Sequence, residues 1–524
     1  MLVGYVSDEN DVAIADVAVE LTGADGVPVS CRSSASGRVD ADVAPGRYDV
    51  VLARDGYGPK RTTAVAGAGP VRFRLLADRT YGFVWPKEAT SGGTAEIRVS
   101  CPRPYRLSLW RYSTAREHVA PLGVGEHEPG ATAIPLPDGD VAGSGVDWSP
   151  GEFPGQRVVA PERGGLYFVH VDDDGGGFHG LPWIVSPAAP TAPVAVLAGD
   201  LTWAAYNSFG GRSNYVNPAG LPPAPAVSRR QDLAFYATPE RGEWEDEHYP
   251  PLSLRRPDPD ASIPLAEDVD APTTTRPGPH LAAADWRLLA WLERQGYGHD
   301  LYAESRLARG EVPLDAYRVL VLGCHPEYWT YGMFRQVRDW VHAGGRLLHL
   351  GGNGLNCEVE LLDDDRMLVH NGDTRALGPG DGPDWSRFTH RREPEAALLG
   401  VGYDQRGLLT AAPYEVVAPE HWAFAGTRLR AGELFGRASL NGRVLGGASG
   451  HETDKLSPHS PPGTTLLARG VNADGGGAHL VHVPALGRGE VVAAGSIAFV
   501  LSLLVDDVVS ALTRNVLDRF LAAP

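Results

Sequence analysis

The sequence predicts a multidomain protein in which two β-sandwiches precede an α/β domain, and three observations carry that expectation. A chain of 524 residues is too long for one hydrophobic core. As far as about residue 189, short strand-like segments are separated by turn signals. Beyond the Pro-rich junction Pro187–Pro193, continuous apolar runs alternate with segments of helical spacing. The expected domains are residues 1–80, 81–189 and 190–524.

In the first domain, Val17–Leu21 and Tyr48–Leu52 read as strands, and Asp25-Gly26, Ser36-Gly37 and Pro45-Gly46 as turns. The order of these segments, from Gly4-Tyr5-Val6 to Asp55-Gly56-Tyr57, resembles the prealbumin-like sandwich appended to carboxypeptidases (a carboxypeptidase-regulatory-like module). Such a module implies packing or tethering and carries no chemistry. In the second domain, Glu96–Ser100 and Tyr105–Tyr112 alternate as half-buried strands do, and Gly165–Val171 is a further strand.

The third domain opens on Val194–Ala198, an apolar run suited to a sheet buried on both faces. Ala282–Gln295 has helical spacing and stops at Gly296, and Arg318–Gly323 is a second buried strand. Thr330–His342 is a helix ending at Gly344-Gly345, and Arg346–Leu350 a third strand. Strand, helix and strand at this spacing make a βαβ unit and predict a doubly wound sheet. The arrangement is similar to flavodoxin-like, glutamine-amidotransferase-like domains. Pro218–Val227 and Pro257–Pro279 read as excursions over the surface.

Composition narrows the function. Acidic residues outnumber basic ones, 65 to 47, for a formal charge of −18. No basic cluster interrupts that excess, so neither nucleic acid nor an anionic membrane is an expected partner. The start of the sequence lacks the pattern of a signal peptide, and no apolar stretch reaches spanning length. Four dispersed cysteines form no CxxC pair. These features predict a cytoplasmic protein with reduced thiols.

Ligands of an open α/β sheet gather at the carboxyl ends of its strands, and three polar clusters lie just past such ends. They are Thr202–Tyr215, then Cys324-His325-Pro326-Glu327-Tyr328-Trp329, then Gly351-Gly352-Asn353-Gly354. Each has an ordinary account. Tyr206 reads as a packed ring with its hydroxyl bonded, Glu327 as a carboxylate at a helix N-terminus, His325 as a backbone cap, and the glycines as a tight turn. Taken jointly they describe a binding cleft.

The same residues resemble the large (beta) subunit of N,N-dimethylformamidase. Ala205-Tyr206-Asn207, Gly210-Gly211-Arg212-Ser213, His325–Trp329 and Gly351-Gly352-Asn353 carry the likeness. Tyr105–Tyr112 and Thr513–Phe520 agree with it. The resemblance implies an amidohydrolase that uses a mononuclear ferric iron held by two tyrosines and a glutamate. Tyr206 and Glu327 match two ligands, with His325 lining the site. The second tyrosine is expected at Tyr249 by spacing, or else at Tyr236. Glu452 matches a further acidic residue near the metal. Phenolates and a carboxylate are hard donors suited to such an ion. Glu452 or His325 is then the candidate general base, and Asn353 or Asn207 the candidate oxyanion donor. The resemblance also implies a small accessory subunit and a homo-oligomer.

Two rivals stand beside it. Cys324 occupies a strand end where amidotransferase-like domains place a nucleophile, although Pro326 disturbs the tight elbow such a nucleophile requires. A non-catalytic carbohydrate- or ligand-binding protein is also compatible with two sandwiches and aromatic strand ends. No GxSxG, HExxH or Walker loop is present.

Overall fold

A computed structural model describes residues 1–125, 135–148, 156–227, 249–273, 278–370 and 386–522. The protein is mostly β and multidomain, with eight sheets and few helices among the described residues.

Near the N-terminus, a three-stranded sheet (Arg38–Ala41, Leu2–Ser7, Val71–Arg74) faces a four-stranded one (Pro28–Arg32, Ala18–Thr22, Gly46–Ala53, Lys60–Ala66). Alternate residues such as Val6, Val19, Leu52 and Phe73 point inward and form one core, as a period of two requires. A second pair of sheets follows. One is built from Tyr81–Trp85, Thr94–Ser100 and Gln156–Val159, and the other is centred on Tyr105–Tyr112 and Gly165–Asp173. Ile97, Leu107, Val169 and Trp183 fill the space between them.

The largest sheet has nine strands: β1 (Val194–Ala198), β2 (His299–Ala303), β3 (Val319–Leu322), β4 (Arg346–His349), β5 (Tyr414–Val416), β6 (Leu434–Phe435), β7 (Thr465–Gly470), β8 (His479–Leu486) and β9 (Gly489–Ala493). Their order across the sheet is β2-β1-β3-β4-β9-β8-β7-β5-β6. The pairs from β2 to β9 are parallel, and those from β9 to β6 antiparallel. Both faces are covered. Val194, Val196 and Val321 meet the helix Ala282–Arg294 (α2) and the C-terminal helix Asp507–Ala522. Ala195, Leu197 and Leu320 meet the helices Asp200–Tyr206 (α1) and Tyr331–Ala343 (α3). Burial on two faces is why these strands are apolar throughout rather than alternating.

Two expectations need correction. The sheet is mixed, because the chain between β4 and β9 returns as short antiparallel strands. Of the stretch Pro257–Pro279, the described residues 257–273 are also no surface excursion: Ala261 and Ile263 are fully buried in the core. Arg287 of α2 explains how such a loop can be buried. Its guanidinium donates to the Asp268 and Ala271 carbonyls and pairs with buried Glu267 at 3.2 Å, so these loop groups keep partners away from water. Among the described residues, no helix is long and apolar enough to cross a membrane.

Candidate functional site

The parallel half of the sheet brings the three polar clusters to one edge. Helix α1 follows β1 directly and places Tyr206 at its C-terminal end. After β3 the chain runs through Cys324 to His325 and Glu327. After β4 it turns at Gly351-Gly352 into Asn353, whose φ of 50° is left-handed, a conformation Asn tolerates better than most residues. Only glycine fits at 352, where an added Cβ would lie 2.7 Å from the Glu452 carbonyl oxygen. A fourth element closes the cluster. Glu452 lies between the strands Ser449–His451 and Thr453–Lys455, after His451 at φ 64°.

The hydroxyl of Tyr215 lies 2.9 Å from both carboxylate oxygens of Glu327 and 2.9 Å from the Tyr206 hydroxyl. The Tyr328 hydroxyl is 2.8 Å away on another side and accepts from Asn214 Nδ2, also at 2.8 Å. His325 Nε2 is 3.1 Å from the Tyr206 hydroxyl and 2.9 Å from Glu327. Its Nδ1 donates to the Gly352 carbonyl at 2.9 Å, which fixes the ring and turns Nε2 toward the cluster. Asn353 Nδ2 donates to Glu452 at 2.6 Å and approaches Glu327 at 3.4 Å, so one amide holds both carboxylates.

The environment polarises these groups. Burial alone pulls the His325 imidazole down, but Glu327 and then Glu452 more than offset it and raise it to about 9. Burial lifts Glu452 to about 7, with His325 opposing and Glu327 adding. The Tyr215 phenol is pushed well above its usual range, first by burial and then by Glu327.

The structure therefore joins Tyr206, His325, Glu327, Asn353 and Glu452. Asn207 is engaged elsewhere: its Nδ2 donates to the Pro257 carbonyl and its Oδ1 accepts from Phe209 N–H. These bonds hold a turn, and among the contacts described Asn207 makes none to Glu327, His325 or Glu452. Asn353 likewise spends its amide on carboxylates. Tyr249 is buried beside Pro250, whose carbonyl accepts from Arg212, and the contacts described at Glu327 run through Tyr215. Tyr236 lies outside the described residues.

Sequence reasoning passed over two residues. Tyr215 belonged to the first polar cluster, but the second tyrosine was sought farther along the chain. His280 lies edge-on to Tyr206, with ring centroids 4.8 Å apart, and 5.2 Å from both His325 and His451. It follows Pro-Gly-Pro, and nothing local marked it. Cys324 donates its thiol to the Ile497 carbonyl at 3.2 Å. Burial holds that thiol far above its usual pKa, so it stays protonated and is a poor nucleophile.

Among the described residues, no group of three or more His, Cys, Asp or Glu side chains is arranged to hold a metal ion. The oxygen donors here are instead tyrosines around one carboxylate. Two phenols and a carboxylate supply three hard, potentially anionic donors, a set that fits a hard and highly charged cation.

Fold and cluster together define a multidomain protein with a phenol–carboxylate–imidazole site at the strand ends of a mixed sheet. Residues 108–510 match the family described as N,N-dimethylformamidase beta subunit-like, C-terminal, and the chain belongs to that family. The N,N-dimethylformamidase beta subunits of Alcaligenes sp and Paracoccus aminophilus are each 27% identical over 285 residues. The match covers 45% of this chain and 36% of each relative, so it spans about a third of their length. Among solved structures, a β-galactosidase from Bacillus circulans sp. alkalophilus aligns at 12% identity over 63% of this chain and 31% of its own, with a TM-score of 0.30. The mmIFT52 N-terminal domain aligns at 11% over 44% and 87%, with a TM-score of 0.27. Likenesses this distant assign neither fold nor function.

Proposed function

We propose that the protein hydrolyses small amide C–N bonds at the Tyr206–Tyr215–Glu327–His325 cluster. The observation that carries this reading is the convergence of two tyrosines, a carboxylate and an imidazole at strand ends, in a member of a family named for an amidase subunit. The strand order of the parallel half is, in chain order, 2-1-3-4-5, which supports grouping it with flavodoxin-like and glutamine-amidotransferase-like domains. Such folds bind ligands where the order reverses, here between β1 and β3.

Tyr206, Glu327 and a second tyrosine, Tyr215 or Tyr249, would hold a mononuclear ferric iron. When bound, that ion supplies a Lewis acid that polarises the amide carbonyl and acidifies water. The remaining work falls to the chain. Glu452, with its pKa raised to about 7, takes a proton from water near neutral pH and returns one to the leaving amine. Asn353 orients Glu452 against Glu327, and the Gly352 carbonyl keeps His325 Nε2 facing both. Buried Tyr328 and Asn214 lock Tyr215 from behind.

The relatives are named as beta subunits, and by analogy we expect a small accessory subunit and a homo-oligomer here. Four free thiols are consistent with a cytoplasmic setting. The test is metal content and visible absorption of the purified protein, alongside hydrolysis of small N-alkyl amides. About one iron per chain with a phenolate charge-transfer band, abolished with the activity by Glu327→Gln, is expected. Full activity in iron-free protein would refute the ferric reading, and no hydrolysis by iron-loaded protein would refute the hydrolase.

A further inference from the structure

The loop that carries Tyr215 is gripped from outside its own domain. Residues 208–226 rest on the turn Asp8–Asp11 of the N-terminal module. Gly210 N–H donates to the Glu9 carbonyl at 2.7 Å, Ala13 N–H to the Ala226 carbonyl at 2.7 Å, and Ala226 N–H to the Asp11 carbonyl at 3.1 Å. Two arginines of the module's last strand complete the grip. Arg74, fully buried, spans the seam by donating to the Gly210 carbonyl at 2.8 Å and the Asp8 carbonyl at 3.0 Å. Arg72 bonds both the Asp11 carboxylate and the Pro222 carbonyl.

The contact is close enough to constrain sequence on both sides. Gly211 has φ 83°, and a Cβ there would lie 2.5 Å from the Cβ of Asp11, which is itself fully buried at φ 57°. A buried non-glycine residue in that region persists only where its surroundings hold it. From Gly211 the loop passes through Ser213, whose Oγ accepts from the N–H groups of Tyr215 and Val216 at 3.0 Å. Asn214 N–H returns to the Ala205 carbonyl at 2.9 Å, beside Tyr206. The gripped end and the site end are thus four residues apart on one bonded segment.

We propose that the N-terminal module is a working part of the site, with Arg72 and Arg74 as positioning residues that act through the 208–226 loop to set the Tyr215 hydroxyl against Glu327. The catalytic consequence rests on the amide-hydrolase reading, whereas the structural coupling does not.

The test is amide hydrogen exchange of the full-length protein for Arg72→Ala and Arg74→Met, with Arg72→Lys as the conservative variant. We expect exchange at least about tenfold faster at Gly210 and, as the decisive readout, at Asn214 and Val216, with partial recovery in Arg72→Lys. In the same variants kcat falls about tenfold while KM stays within about twofold. Arg72 is the more exposed of the two, so Arg72→Ala decides the matter should Arg74→Met fail to fold. Faster exchange confined to Gly210, with Asn214 and Val216 as in the parent, would overturn the coupling. A loosened loop with unchanged kcat would overturn the positioning role of the two arginines. Absence of amidase activity in the parent protein would sink the functional reading alone, because the exchange at Asn214 and Val216 still decides this one.

Discussion

Replacing Asp285 with Asn offers a measurable consequence of where the fold buries charge. Asp285 lies in the first turn of α2, under the strand ends of β1 and β3, and accepts from Gly199 N–H at 3.3 Å. Burial raises its carboxyl from 3.8 to about 7, although the Gly199 and Trp203 donors pull the other way. The folded state therefore holds this proton more tightly than the unfolded chain does. Stability is fully present below pH 3.8, is lost as pH climbs toward about 7, and stays at that lower level above it. Three pH units correspond to about 4 kcal/mol. The value near 7 is the net of every influence on the carboxyl, so about 4 kcal/mol is lost in full by pH 8. Asn keeps an acceptor for Gly199 and cannot ionise. Asp285→Asn is expected to be more stable than the parent at pH 8 by about 1–3 kcal/mol and to flatten the fall between pH 4.5 and 7 by about 1.4 kcal/mol per pH unit. Urea denaturation followed by tryptophan fluorescence across that range reads both quantities. A variant as pH-sensitive as its parent, or less stable at pH 8, would show that Asp285 is ionised in the folded protein.

Two further outcomes follow from the same structure. Arg287→Met should cost about 3–5 kcal/mol in a thermal or urea melt, because it removes the cation paired with the fully buried Glu267 carboxylate; adding Glu267→Gln should restore part of the loss, and an additive double variant would mean the pair is not coupled. Cys324→Ser should keep hydrolysis within about twofold, since the thiol only donates to the Ile497 carbonyl; a loss beyond about a hundredfold would reinstate a thiol nucleophile.

Much of the scaffold was legible because two-sided burial writes itself into sequence as uninterrupted apolar runs. Val194–Ala198, Arg318–Gly323 and Arg346–Leu350 contain β1, β3 and β4 within a residue or two at each end. The convergence of Tyr206, His325, Glu327 and Asn353 followed from the rule that ligands gather at strand ends. Other features depend on contacts that no local pattern encodes. The antiparallel half is made of strands as short as two or three residues, too brief for periodicity to register. Residues 257–273 looked exposed because a buried loop ordinarily lacks backbone partners, and here the distant guanidiniums of Arg116 and Arg287 provide them. Tyr215 was hidden in plain view: nine residues from Tyr206, it reaches the same carboxylate only because the intervening loop folds back on itself.

The sheet order also bears on how the site comes into being. Strand β4 ends at His349 and its parallel neighbour β9 begins at Gly489, so roughly a quarter of the chain is synthesised between two adjacent rungs. Glu452 is carried within that interval, on strands that pair with residues 402–412. Closing so wide a gap costs entropy before any contact repays it, which makes such pairings slow to form. Until β9 docks, the edge of β4 stays open and Tyr206, His325 and Glu327 lack their fourth wall. The four walls of the cluster are therefore all encoded only once the chain extends past Glu452, and the edge of β4 is covered only by residues 490–493.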